Sequence, residues 1–369
     1  MNGRIDPLRL RLGAIETATS LAVVVVSLLL GLLLVTVAGY SPGDTIKAFW
    51  NGAFVGSLSL DTMLETAVPL LLAALAWIVA FRAGRINVGI EGQILAGGAT
   101  ATVVGLYVHL PIGLHLPLTV LAAVCGGAVY AAVAAALWAW RGVNEIISTF
   151  MLNLIAGLFV TYLVTGPLQE STHQQPISPT IPGSARWPGF FGQLGLSWDL
   201  ALAPVGVALV AWTIHRTTAG FRLRMTGENP EAARHVGVPV KAVGAVALIA
   251  SGALGGLAAS SLLLSSQGGA LQQDFSSNFG FNGIAVALLA RNSALGCVPA
   301  ALLFAALREG GGLVETEVGV DTSLVDVTFG IVVILAAASL YLARRQWRIP
   351  ERLRVGLVRP RAEAELTEG

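Results

Sequence analysis

Apolar residues gather along this chain in runs of about 20, the length that carries a helix across a hydrocarbon layer of roughly 30 Å. The runs predict about ten spans. They cover Ala18 to Tyr40, Thr62 to Phe81, Gly89 to Val108, Pro117 to Trp140, Ile146 to Thr165, Leu200 to Ile214 and Ala242 to Leu264. A pair then shares Gly283 to Leu307 around a break near Arg291, and the last run is Leu324 to Ala343. The shared pair is short for two full crossings, so one of its helices is expected to be broken or steeply tilted. The predicted fold is an all-α polytopic membrane protein, with a membrane domain over 18–343, an N-terminal segment over 1–17 and a basic tail over 344–369.

The apolar pattern is breached at Phe81 to Gly98, FRAGRINVGIEGQILAGG, where arginines, an asparagine, a glutamate and repeated glycines interrupt it. Glu91 near hydrocarbon costs roughly 2.5 to 3.5 kcal/mol on insertion scales, so it should face a cavity, a partner or the membrane interface. Gly84, Gly89 and Gly92 permit helix breaks, and Asn87, Glu91 and Gln93 supply hydrogen-bonding groups where backbone is unwound. Two readings follow: a gate or path-lining turn, or a structural carboxylate neutralising Arg82, Arg85 or Arg141.

Composition agrees with the pattern: 55% of residues are hydrophobic, 12% are charged and the mean hydropathy is +0.75. Basic residues set the orientation, because short loops that cross a membrane lose Lys and Arg. With both termini cytoplasmic, only Lys47, Arg186 and Arg308 fall outside. The first apolar run exceeds the roughly 7 to 15 residues of a signal-peptide core and is read as a retained helix. A net charge of +1 argues against nucleic acid as a partner, and the basic tail is read as a segment at the lipid bilayer surface.

Candidate chemistry is sparse. Cys125 and Cys297 show no metal or redox spacing and read as buried small apolar residues. His109 and His115 share one short loop without an acidic or thiol companion, so no metal is expected. Neither lysine, Lys47 or Lys241, follows a glycine, which excludes a P-loop. The chain is therefore expected to bind no cofactor and to be no enzyme.

Polar motifs mark other stretches. In the loop over 215–241, Asn229 is a plausible cap, Pro230 opens a short helix whose first turn holds Glu231, Ala232 and Ala233, and Gly237 ends it. Such a helix could take force from an external motor or lie as an amphipathic turn at the lipid surface. Asn144, Glu145, Ser148, Thr149 and Asn153 make a polar stripe at the start of the fifth span, either path or interhelical glue, with Asn153 the better path candidate. Phe281 and Asn282 open a later motif on the opposite side of the membrane, which hints at an inverted repeat with broken helices; Asn282 and Asn292 join the path candidates. The outer loop over 166–199 is stiffened by five prolines and carries Trp187, Phe190 and Phe191, suiting it to dock a protein or to cap the helices.

FRAGRINVGIEGQ (Phe81 to Gln93), GVNEIISTFMLN (Gly142 to Asn153), GENPEAARHVGV (Gly227 to Val238) and GFNGIAVALLARNSALG (Gly280 to Gly296) together resemble permease subunits of bacterial ABC importers. The resemblance is to the nucleoside and simple-sugar branch, and more distantly to ribose and branched-chain amino acid permeases. It implies a multi-pass protein of the bacterial cell membrane in which this chain and a second, related permease enclose a path. ATP and Mg would be held by separate ATPase subunits, and an extracytoplasmic binding protein or lipoprotein would deliver the solute. Gly227 to Val238 would dock in an ATPase groove, with polar contacts from Glu231 and Arg234 and close approach at Ala232 and Ala233. The implied function is alternating-access import of nucleosides or related ribosides; the alternatives are a simple-sugar permease, or a gradient-driven transporter or channel.

Overall fold

The structure is a computed structural model that describes residues 22–335 except 23–24, 56, 112, 172–174, 190–195, 266–267, 322–323, 325–326, 329 and 332–333. The expected terminal segments over 1–17 and 344–369, most of the last run and both Phe190 and Phe191 lie outside the described residues. The elements are helices: α1 Val25–Val37, α2 Pro42–Phe54, α3 Ser57–Arg82, α4 Ile90–Tyr107, α5 His115–Arg141, α6 Glu145–Thr165, α7 Leu202–Arg216, α8 Thr218–Glu228, α9 Pro230–His235, α10 Val240–Leu264, α11 Phe279–Leu289 and α12 Cys297–Val318. Among the described residues six are long and apolar enough to cross a membrane, and α1 and α11 are shorter apolar helices.

The axis of the bundle is α3. Of its most apolar stretch 78% is buried inside the protein, against 28% for α5 and for α6, whose flanks face outward. Leu70, Leu72, Leu75 and Ile78 of α3 pack with Ile90 and Ile94 of α4, Val286 of α11 and Phe304 of α12. In lipid, apolar burial gives helices little reason to associate, so close packing of small residues has to hold them. The crossing of α4, α5 and α10 shows this: a methyl group at Gly97 would lie 2.8 Å from Cα of Gly256. At the start of α7, fully buried Asp199 accepts from the hydroxyls of Ser197 and Ser261, tying that end to α10.

The structure corrects several expectations. Residues 42–54 form α2, opened by Pro42 and capped by Ser41, whose Oγ accepts from Asp44 N–H. With 13 residues, α2 is too short to register as a span, and its Ala48 and Gly52 pack toward α12. A second unexpected helix, α8, precedes α9 in the loop over 215–241. The pair within Gly283 to Leu307 does divide near Arg291, with a half-length helix of 11 residues before the break; the second helix, of 22 residues, runs past Leu307 to Val318. Cys297 is buried as expected, but Cys125 is exposed on an outward face of α5.

Candidate functional site

The α3, α5 and α7 helices end at Arg82, Arg141 and Arg216, and these mark one end of the bundle, called here the basic end. After Arg82 the chain turns at Gly84, whose φ of +70° suits glycine, and residues 85–88 run back into the protein without helical structure. Asn87, fully buried, donates from Nδ2 to Ser251 Oγ at 2.8 Å, and Ser251 lies about midway along α10. The start of α4 therefore sits at mid-depth. On the other side of the molecule α10 ends at Leu264, the chain returns through 268–278, and α11 starts at Phe279 beside Glu91, at the same depth. From there α11 runs to the basic end, where Arg82 Nη2 donates to Asn292 O at 3.0 Å.

Two broken helices, reached from opposite ends of the bundle, thus bring their N-termini together at Glu91. A helix N-terminus leaves its first amides without intrahelical partners and carries about half a positive charge. The α11 N-cap residue, Asn278, is in the left-handed region at φ 65° and makes no capping bond with its side chain. Glu91 takes over that role: its Oε1 accepts from Asn278 N–H at 3.2 Å and its Oε2 from Gly280 N–H at 2.7 Å. Because Glu91 also lies in the first turn of α4, its carboxyl group stands at the positive ends of two helix dipoles. Gly280 must lack a side chain, since a methyl group there would sit 2.6 Å from Cα of Glu91.

The start of α4 is secured in the same way. Asn153 Oδ1 of α6 accepts from Gly92 N–H at 2.8 Å, while its Nδ2 donates to Val88 O at 3.0 Å. Asn87 Oδ1 accepts from Gly89 N–H at 3.0 Å, and the Asn87 and Gln93 amides bond each other at 3.0 and 3.1 Å. At the far end of α11, Asn292 Oδ1 accepts from Trp77 Nε1 at 3.0 Å, and Arg291 and Asn292 are both left-handed at φ 54° and 56°. Glu91 does not neutralise the arginines of its motif: Arg85 instead pairs with Glu145 at 3.2 Å and lies over the Trp138 ring.

Asn87, Glu91, Gln93, Asn153 and Asn292 are accordingly buried and bonded as latches, whereas Phe281 and Asn282 are half-buried near the meeting point. Among the described residues the Asn282 side chain makes no hydrogen bond. Gln272, Gln273, Asp274, Ser277 and Asn278, which belong to none of the sequence motifs, are all exposed on the segment leading to α11. Two left-handed residues without glycine, Ser277 and Asn278, make this segment a local departure from relaxed backbone. No sequence signal announces that departure.

At the basic end Asn229 Oδ1 accepts from Glu231 and Ala232 N–H at 3.1 and 3.0 Å, Pro230 stands in the first turn of α9, and Gly237 follows the helix at φ +83°. Glu231, Ala232, Arg234, His235 and Val236 are exposed, and Val236, at 67% exposure, presents an apolar tip. Ala233 is fully buried and faces into the protein. The loop rests on the breach itself: a methyl group at Gly227 would lie 2.9 Å from N of Gly84, so the two backbones touch. Among the described residues no group of three or more His, Cys, Asp or Glu could hold a metal ion.

Comparison with known proteins places this geometry. Residues 59–337 match the family described as branched-chain amino acid transport system / permease component. The chain is 31% identical over 323 residues to the guanosine ABC transporter permease protein NupP of Bacillus subtilis, covering 86% of this chain and 92% of that one. It is 32% identical over 354 residues to the glucose ABC transporter permease protein TsgB13 of Haloferax volcanii, covering 92% of each. It is also 29% identical over 331 residues to the nucleoside ABC transporter permease protein NupB of Lactococcus lactis, covering 87% of this chain and 91% of that one. With its apolar helices, its two opposed broken helices and a family match over most of its length, the chain belongs to the branched-chain amino acid transport system permease family of ABC transporters.

Proposed function

We propose that this chain is the membrane-spanning permease subunit of an ATP-driven importer for nucleosides or related ribosides, working by alternating access with a second permease. The basic end faces the cytoplasm, both termini lie on that side, and separate ATPase subunits carrying ATP and Mg dock on α9 through Glu231, Arg234 and the Val236 tip. An extracytoplasmic binding protein delivers solute at the opposite end, onto the loop over 175–189. The observation that carries the proposal is continuity: α9 is joined to α8, the α8 end touches the Gly84 turn, and that turn leads through 85–89 to Glu91, which holds α11. A push on α9 is therefore delivered to the latch that joins the two broken helices.

Copurification tests the assembly. Gentle extraction of the tagged chain should recover a P-loop ATPase and a second permease; recovery of this chain alone, under conditions that preserve a known ABC complex, would sink the proposal. In proteoliposomes holding that complex, guanosine uptake should require ATP. Arg234→Glu should lower uptake at least about tenfold while leaving the melting temperature of the complex in place, because reversing a charge at an interface disfavours docking. The relative from Haloferax volcanii favours a second reading, a simple-sugar permease. Uptake of glucose rather than guanosine by the same complex would select it.

A further inference from the structure

Residues 271–278 join the outer part of the molecule to its middle. At the outer side Ser178 N–H donates to Leu271 O at 2.9 Å and Ile177 bridges to Gln272. At the inner side the Glu91 latch holds Asn278 at mid-depth. Between them the segment is not helical, and its side chains divide sharply. Phe275 turns inward against Gly98, where a methyl group would have no room, and Ser276 is fully buried. Gln272, Gln273, Asp274, Ser277 and Asn278 are exposed.

Irregular backbone with polar side chains does not face hydrocarbon, because nothing there satisfies its hydrogen bonds; at membrane depth it lines water or is covered by protein. Other outward surfaces look different: α6 shows Leu154, Ile155, Leu158, Phe159 and Tyr162, as a lipid-facing helix should. A surface that packs against another helix in lipid would likewise be made of small residues. The segment presents amides and a carboxylate instead. Asn282, one turn into α11, continues the row with an amide that is unbonded among the described residues.

We propose that Gln272, Gln273, Asp274, Asn278 and Asn282 form one wall of the solute path, directly outside the Glu91 latch, and that this wall takes an uncharged solute rich in hydroxyl and ring N–H or C=O groups. The proposal rests on the permease reading given above and adds the surface that the solute touches. Amides both donate and accept, and Asp274 accepts from hydroxyls, so the row matches neutral polyol and heterocycle edges. The nearby Arg308 donates from Nη1 to Ser277 O at 3.2 Å and lies over the Phe279 ring, and Asp274 places a carboxylate in the exposed row itself, which disfavours a phosphorylated solute.

The test uses the complete complex in proteoliposomes, with Cys125→Ser as background and single substitutions Gln273→Cys, Asn278→Cys and, on the outward apolar face, Leu158→Cys. A charged, membrane-impermeant methanethiosulfonate should modify the first two at least about tenfold faster than Leu158→Cys, since a thiol must meet water to ionise and react. Saturating guanosine should slow that modification, and Gln273→Ala should raise KM for guanosine about fivefold, the loss of one hydrogen bond. Modification no faster than at Leu158→Cys, both with and without ATP, would overturn the wall even if guanosine uptake is intact. Rapid modification without any ATP-driven uptake would leave the water-lined wall standing and overturn the permease reading on which its solute rests.

Discussion

The two short helices α9 and α11 are started in opposite ways. The first is capped by its own neighbour, Asn229, which bonds amides two and three residues ahead. The second makes no capping bond with its own N-cap side chain and is held by Glu91, which lies 187 residues earlier than Asn278. A local cap makes a helix a self-sufficient unit that survives rigid movement, which suits the docking role proposed for α9. A remote cap makes the helix conditional on how two parts of the molecule are arranged, which suits the moving joint proposed at Glu91.

Substitutions at three positions break or sharpen that contrast, beginning with the strongest. Glu91→Ala removes the remote cap and leaves buried amides at the α11 start without acceptors, costing about 3 kcal/mol. The melting temperature of the complex should fall and uptake should be lost, while Glu91→Gln, which keeps one acceptor oxygen, should recover part of the stability. Gly280→Ala tests the same joint by crowding, with about 2 kcal/mol expected from overpacking against Glu91; an unchanged melting curve would show that the two helix ends are not locked together. Asn229→Ala removes the local cap and should cost about 1 kcal/mol. Its effect should appear in uptake per ATP hydrolysed rather than in melting of the whole complex, so equal damage from Asn229→Ala and Glu91→Ala would erase the distinction.

The same contrast governs what the sequence reveals. Long apolar runs disclose the spanning helices, and Asn229 with Pro230 discloses α9, because each signal lies within its own element. The breach at Glu91 is equally visible, and its glycines foretell the broken helix. Its partner is not visible: Arg82, Arg85 and Arg141 are near in sequence, but the carboxylate bonds backbone amides that carry no residue-type signature. Asn153 looks like a free polar group on a stripe, yet both ends of its amide are used to hold α4. The exposed row from Gln272 to Asn278 resembles an ordinary polar loop until its depth is known. Local signals also mark α2 and α8, since Ser41 with Pro42 and Thr217 cap helices that a search for long apolar runs does not count.

The contact between Gly227 and Gly84 carries a mechanical consequence. Side chains at a joint act as compliance, since rotamer changes absorb small displacements before backbone has to move. Here backbone meets backbone with nothing interposed, so the joint has almost no play. Under the coupling proposed above, a shift of well under one helical turn, about 5 Å of pitch, would be passed on to the Glu91 joint instead of being absorbed by side chains.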